Sequence, residues 1–286
     1  MVIVIAKYYS PLRYPGGKTK LYGLVRSILM RNNLINQTYI EPFAGGAGLA
    51  LALLLNNDVK KIVINDSDPA IYAFWYSILN NNEDICEFVR TVPLNMDEWH
   101  RQRNIYLNQA NYERLDIAKA VFYLNRTNRS GVINGGVIGG QSQQGNYLID
   151  ARFNRNNLIE RIQSIENVKS KIHLYNLDVL DFLDTHTLGK YRKVLINFDP
   201  PYVEKGSQLY QNYYTHQNHK VLKKYILKCK RKWILTYDDC ELTRELYANN
   251  RCSLIDINYS VNTVRKTKEL IVFSDSIEIS DEVELL

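Results

Sequence analysis

The chain has 286 residues, a mass of 33.3 kDa and 45% apolar residues, enough for one large domain or a core domain with a smaller lobe. No apolar run is long enough to cross a bilayer, and the opening "MVIVIA" is too short for a signal-peptide core and has no basic residue ahead of it, so the reading is of a soluble, cytoplasmic protein without a membrane partner. The net charge of +6 is uneven: residues 101–161 hold nine Arg/Lys against four Asp/Glu, and 220–232 hold seven basic residues and no acidic one, which points towards nucleic acid unless these are only solvated faces. The four cysteines, Cys86, Cys229, Cys240 and Cys252, form no Cys-x-x-Cys pair and have no histidine at ligand spacing. They read as reduced interior thiols, not as metal ligands or disulfides.

In chain order, "TYIEPF" (38–43) reads as a strand, followed by a glycine-rich turn and the apolar helix "GLALALLLNN". "KIVIND" (61–66) is a second strand, and "DPAIYAFWYSILNN" (68–81) a helix with Asp68 as its N-cap and Pro69 in its first turn. From about 83 to 167 the β–α alternation stops. Two or three helical segments, notably "DEWHRQRNIYLNQ" and "NYERLDIAKAVFYLNRT", precede a polar, glycine-rich stretch at 128–146, and loops that long are usually functional. Alternation then resumes: strand "KIHLYN", short helix "LDVLDFLDTH", strand "KVLINFD", a basic helix at 216–230, strand "KWILTYDD", a helix at 240–249, and the strands "CSLIDINYS" and "ELIVFSD". The pattern predicts an α/β fold with a mostly parallel sheet covered on both faces. It also predicts an antiparallel C-terminal hairpin at one edge. The expected division is a core of 1–82 and 168–286 with an inserted, mainly helical region at 83–167.

Three stretches carry chemistry. "EPFAGGAG" (41–48) lies where a strand gives way to a helix, where glycines let backbone approach a ligand and the helix N-terminus offers free N–H groups. No Gly-Lys-Ser/Thr follows, so it is not a P-loop. "VINDSDP" puts Asp66 at the carboxyl end of the next strand, placed to accept hydrogen bonds from ribose hydroxyls. "INFDPPY" ends a buried strand with Asp199, Pro200, Pro201 and Tyr202. The prolines have fixed φ and no N–H, so the turn is stiff. An Asp acceptor and a rigid carbonyl together can hold both hydrogens of a planar amine while the tyrosine stacks on its ring.

The ordered set "RYPGGKTKL", "IEPFAGGAGL", "VINDSDP" and "INFDPPY", with the tail "YSVNTVRKTKELIVF", resembles the Dam-like class of S-adenosylmethionine-dependent DNA adenine-N6 methyltransferases. The resemblance implies a Rossmann-like methyltransferase sheet, S-adenosylmethionine as cofactor and double-stranded DNA as substrate, with no metal. It implies that Tyr14 and Lys18 contact the cofactor, that Pro42, Phe43, Ala44 and Gly45 line its methionine side, that Asp66 takes the ribose, and that Asp178 lies near its adenine. Asp178 reads equally as a helix N-cap. Asp199 and Pro200 would hold the target amine and Tyr202 would stack on the base, after the nucleotide is flipped out of the duplex.

The 83–167 region would then be the DNA reader. Arg101, Arg103, Arg126, Arg129, Arg152 and Arg155 are expected to clamp phosphates or read guanine, with Asn125 and Asn154 as further contacts and Phe153 as a buttress. "NRTNRSG" (125–131) and "ARFN" (151–154) are similar to the family's pattern, whereas "VINGGVIGGQSQQGN" lacks the aromatic and basic residues of enzymes that recognise GATC. The target sequence therefore stays open. Two further readings remain beside adenine: an amine of cytosine or RNA, and a catalytically silent DNA-binding regulator. Asp, not Ser, before Pro-Pro favours adenine, and the intact Asp199–Tyr202 set favours catalysis. A monomer is the default expectation, with a cognate restriction or defence nuclease as a partner that the resemblance allows.

Overall fold

The structure, a computed structural model, describes residues 9–14, 17–203, 214–261, 263–281 and 283–286, with backbone alone at 185–186 and within 256–267. The whole "MVIVIA" start, Pro15 and Gly16 of the glycine-lysine segment, and 204–213 after the Pro-Pro turn lie outside it. Seven strands form one sheet in the order β3-β2-β1-β4-β5-β7-β6. They are β1 (Thr38–Glu41), β2 (Lys61–Asn65), β3 (Ile172–Tyr175), β4 (Val194–Phe198), β5 (Lys232–Asp238), β6 (Arg251–Val261) and β7 (Thr263–Phe273). β1 to β5 pair in parallel, and β7 enters antiparallel between β5 and β6. The expected hairpin edge is present, with strands that start earlier or run longer than the apolar runs alone indicate.

Strand residues alternate between two cores, as the two-residue period of a pleated strand requires. Tyr39, Ile62, Ile64, Leu195, Ile234 and Ile271 face one apolar layer. Their neighbours Ile40, Val63, Ile196, Leu235 and Val272 face the other. Burial on both faces explains why these strands read as continuous apolar runs. The first layer is covered by α1 (Tyr22–Arg31), α2 (Gly48–Leu55) and α3 (Pro69–Asn80). Asp68 caps α3 through Ala70 N at 2.8 Å, with Pro69 at its first position.

Between α3 and β3 stand four α-helices where the sequence indicates two or three: α4 (Asn82–Thr91), α5 (Met96–Leu107), α6 (Arg114–Thr127) and α7 (Arg155–Glu166). Short amphipathic segments such as α4 and α7 are hard to separate from loop by period alone. Their buried side chains join the α1–α3 layer; Phe122 of α6 stacks on Phe74 of α3 with centroids 6.1 Å apart. These four helices are thus packed onto the helical layer that covers the sheet. The second layer is covered by α8 (Val179–Leu183), α9 (Thr185–Leu188), α10 (His216–Lys228) and α11 (Glu241–Tyr247). No helix among the described residues is long and apolar enough to cross a membrane.

Candidate active site

β1 and β4 are neighbours, and chain order runs outward in opposite directions from them. The crevice beyond their carboxyl ends is where open α/β sheets bind ligands. Glu41-Pro42-Phe43 leaves β1 there, Asp66 leaves β2, and Asp199 leaves β4.

The turn after β1 is built to bring backbone close to whatever lies over it. Gly45 has φ +44°, and a Cβ on it would sit 2.5 Å from the Tyr14 ring; one on Gly46 would sit 2.7 Å from Tyr14 Cβ. Only glycine tolerates both demands. Tyr14 therefore lies on the turn, and Trp75 also holds it, its Nε1 donating to Gly45 O at 2.8 Å. Pro42 and Ala44 are buried, and Phe43 is half-buried with its ring edge towards Tyr214, centroids 6.2 Å apart. Asn65 ties the cleft's loops together: its Nδ2 donates to Pro42 O at 3.0 Å and Leu177 O at 3.1 Å, and its Oδ1 accepts from Leu177 N at 3.0 Å.

Asp66 accepts from Gly45 N at 2.8 Å and from Asp68 N at 3.0 Å. Burial pushes its carboxyl up to about 7, with the Asp68 charge adding to the rise and the two backbone donors opposing it. A carboxylate this poorly solvated gains from further donors, which the hydroxyls of a ribose supply. Asp178 is exposed and caps α8, accepting from Leu180 N at 2.8 Å. Tyr214, a residue without a signal in the sequence pattern, has its hydroxyl pKa raised by burial and then by the charges of Asp178 and Asp66. The glycine turn, Phe43, Asp66, Asp178 and Tyr214 thus lie close together, and their chemistry fits a group with an aromatic base, a ribose and a chain that needs close backbone approach.

The second half of the site surrounds Asp199. Lys18 Nζ lies 2.9 Å from Asp199 Oδ1 and donates to the Tyr202 hydroxyl at 2.7 Å. Thr236 Oγ1 donates to the same Asp199 oxygen at 3.0 Å. Tyr202 OH donates to Glu269 Oε1, and Glu269 Oε2 lies 3.7 Å from Lys18 Nζ. Beyond the prolines, Val203 N donates to Asp238 Oδ1 at 3.0 Å, which fixes the end of the turn. Lys18 is 5% exposed and Glu269 1%. One buried cation therefore serves two carboxylates. Burial raises the Asp199 carboxyl to about 6; Lys18 pulls it down, Glu269 pushes it up, and the Thr236 hydrogen bond lowers it slightly.

Lys18, which the resemblance places on the cofactor, reaches the Asp199 carboxylate and Tyr202. Glu269, Thr236 and Asn65 escaped the sequence reading; only Glu269 carried a signal, an acidic residue opening the buried run "ELIVF".

The expected DNA-facing residues divide into two groups. Asn125 and Arg126 are buried and spent internally. Asn125 accepts from Arg13 N at 2.7 Å and donates to Arg13 O at 2.7 Å and Gly131 O at 2.8 Å. Arg126 Nε donates to Arg152 O at 2.8 Å, and burial, with Arg13, Arg161 and Arg152 nearby, lowers its pKa to about 9. Arg155 Nη2 donates to Val92 O at 2.7 Å at the end of α4, and Arg103 stacks over Trp99 at 5.1 Å. Phe153 is buried with its ring edge on Phe122, and Asn154 caps α7. Arg101, Arg129, Arg152 and Asn154 are the exposed members.

A Rossmann-like sheet, a glycine turn with an acidic residue on the next strand, and an Asp-Pro-Pro-Tyr turn at the crevice define a methyl-transferring enzyme that acts on an amine. The family model for D12 class N6 adenine-specific DNA methyltransferases matches residues 14–263, and the chain belongs to that family. It is a DNA adenine methyltransferase, and S-adenosylmethionine is its cofactor. Among curated proteins it resembles the Type II methyltransferase M.MjaIII of Methanocaldococcus jannaschii, 25% identical over 206 residues, 67% of this chain and 68% of that one. Among solved structures it resembles the rRNA methyltransferase aviRa of Streptomyces viridochromogenes, with 13% identity, a TM-score of 0.43, and 91% and 86% of the two chains covered. A putative RNA methyltransferase of Pyrococcus horikoshii is similar at 12% identity and a TM-score of 0.43, with 92% and 85% covered.

Proposed function

We propose that this enzyme methylates adenine N6 at a specific site in double-stranded DNA, after flipping the nucleotide into the crevice beyond β4. The observation that carries this is the asymmetry of Asp199. Lys18 and Thr236 both engage Oδ1, and no described residue hydrogen-bonds Oδ2, which leaves it to accept one amine hydrogen. Pro200 O accepts the other, and Pro201 keeps the turn stiff. With both hydrogens held, the amine lone pair is directed out of the ring plane. Tyr202, tethered at its hydroxyl by Lys18 and Glu269, stacks on the base. S-adenosylmethionine supplies an electrophilic methyl group on its sulfonium. It would be held by the Pro42–Gly45 turn, Tyr14, Asp66 and, at its adenine, Asp178. The nitrogen–carbon bond forms as the sulfur–carbon bond breaks, and the amine proton leaves afterwards to water. The chain's part is alignment, in which effective concentration rather than a strong base lowers the barrier.

Residues 83–167 form the DNA-reading region in this proposal, with Arg101, Arg129 and Arg152 on phosphates or base edges; 1–82 and 168–286 form the catalytic part. The name of the Methanocaldococcus relative places it among Type II methyltransferases, and a cognate nuclease, a cytoplasmic setting and a monomeric state follow as parts of the same proposal. The test is incubation with methyl-labelled S-adenosylmethionine and unmodified genomic DNA, followed by sequencing that maps modified bases. Label on adenine N6 within one short sequence is expected. Label on cytosine, or none on DNA, would overturn the proposal.

A further inference from the structure

The last turn of α6 and the residue that follows it tie three separate parts of the molecule together. Arg126 binds the backbone of Arg152. Asn128 donates to Val132 O at 3.1 Å and Ile133 O at 2.7 Å, and accepts from Trp99 Nε1 at 2.7 Å. Asn125 has the least expected partners, because it joins the glycine-rich loop to a segment more than a hundred positions earlier. Its carboxamide pairs with both the N–H and the C=O of Arg13, as a neighbouring strand would, and also holds Gly131 O. Gly131 has φ +77°, and a Cβ there would lie 2.2 Å from Arg13 O. The loop and the Arg13 backbone are thus in contact with no room between them, and Arg13 Nη1 adds a bond to Asn128 O at 3.3 Å.

Arg13 is followed directly by Tyr14, whose ring lies on the Gly45–Gly46 turn, and then by Lys18 at Asp199. A fully buried carboxamide that satisfies three backbone groups gives little under strain, because each bond lost leaves a buried polar atom unpaired. Movement of the loop is therefore transmitted to the segment that touches both cofactor turn and catalytic carboxylate. We propose that Asn125 is a positioning residue that couples the 128–140 loop to the cofactor site, so that filling one site orders the other. The inference rests on the proposed function in taking the cleft for the cofactor site and the loop for part of the DNA reader. Linkage makes the effect reciprocal, so it can be read without DNA.

The experiment is amide hydrogen exchange on the whole chain with and without S-adenosylhomocysteine, for the native sequence, Asn125→Ala and Gly131→Ala. In the native chain the ligand is expected to slow exchange at 42–48, at 12–18 and also at 128–140, the last by about tenfold, within the usual range of coupling between sites. In both variants protection at 42–48 should persist while protection at 128–140 disappears. Unchanged exchange in β1 and β4 shows that a variant is folded, and Gly131→Ala attacks the same contact from the loop side if Asn125→Ala is not. A native chain protected at 42–48 but not at 128–140 overturns the coupling, as do variants that keep both. No protection at 42–48 overturns the cofactor assignment itself and the coupling with it.

Discussion

The carboxyl end of β4 and the last turn of α6 carry similar polar side chains to opposite effect. At β4 the groups keep open valences: Asp199 Oδ2 faces the crevice without a described partner, and a single buried lysine serves two acids. At α6 the hydrogen-bonding groups are consumed, with Asn125 and Asn128 each making three bonds inside the protein. Site chemistry is thus marked by what a buried polar group leaves unsatisfied, since a fully bonded one stabilises structure and has nothing to offer a ligand.

The sharpest break of this contrast is Asp199→Ala. Methyl transfer should fall by at least about a thousandfold, the scale for losing a group that aligns the reacting atoms. Thermal stability should hold or rise, because the folded state raises this carboxyl to about 6, and a raised acid weakens the fold as pH climbs through the gap between its unfolded and folded values. A strongly lowered Tm would place Asp199 with the structural groups. For the native chain, kcat/KM should decline on the acid side near pH 6, where the carboxylate takes up its proton.

Glu269→Gln comes next, with transfer expected to drop about 10- to 100-fold from loosened placement of Lys18 and Tyr202. Glu269 raises the Asp199 carboxyl, so its neutralisation should move the acid limb of the kcat/KM profile to lower pH. A purely structural glutamate would leave that limb where it is. Arg126→Ala tests the other region: a desolvated guanidinium with bonds to Arg152 O should cost about 2 kcal/mol of stability with no DNA present. Arg129→Ala, at an exposed position, should leave Tm unchanged and weaken DNA binding in a salt-dependent way. Equal Tm for the two variants would erase the distinction between them.

The same contrast explains what could be read beforehand. The sheet was legible because two-sided burial makes apolar runs, and Asp66 and Asp199 because they interrupt those runs where strands end. The internal bonds of Asn125 and Arg126 could not be read, because DNA readers and interior ties use the same side chains, and only the folded path of the N-terminal segment shows that Arg13 lies beside Asn125. Glu269 could have been found as an acid in an apolar strand, whereas Thr236 could not, since a threonine in a strand is unremarkable. Asp66→Ala tests the proposed ribose contact. It should weaken S-adenosylhomocysteine binding by about tenfold in a calorimetric titration, the usual worth of a hydrogen bond to a charged group. An unchanged affinity removes Asp66 from the ribose.

The smallest effect belongs to an acid that sits between the two regions in character. Glu41 is 5% exposed at the end of β1 and accepts from Ala50 N at 3.2 Å. Burial, with the nearby Asp199 charge, raises its carboxyl from 4.5 to about 8. It is therefore largely protonated at neutral pH, and glutamine is nearly its copy in shape and charge. The folded state binds this proton more tightly than the unfolded one, so stability from Glu41 is fully present below pH 4.5 and is lost as pH rises through 8. Glu41→Gln removes that loss. Its Tm should lie near that of the native chain at pH about 5 and clearly above it at pH about 8.5. A difference that is constant across pH would mean that Glu41 stays ionised in the fold, paired with Lys18 as a third acid on the same cation.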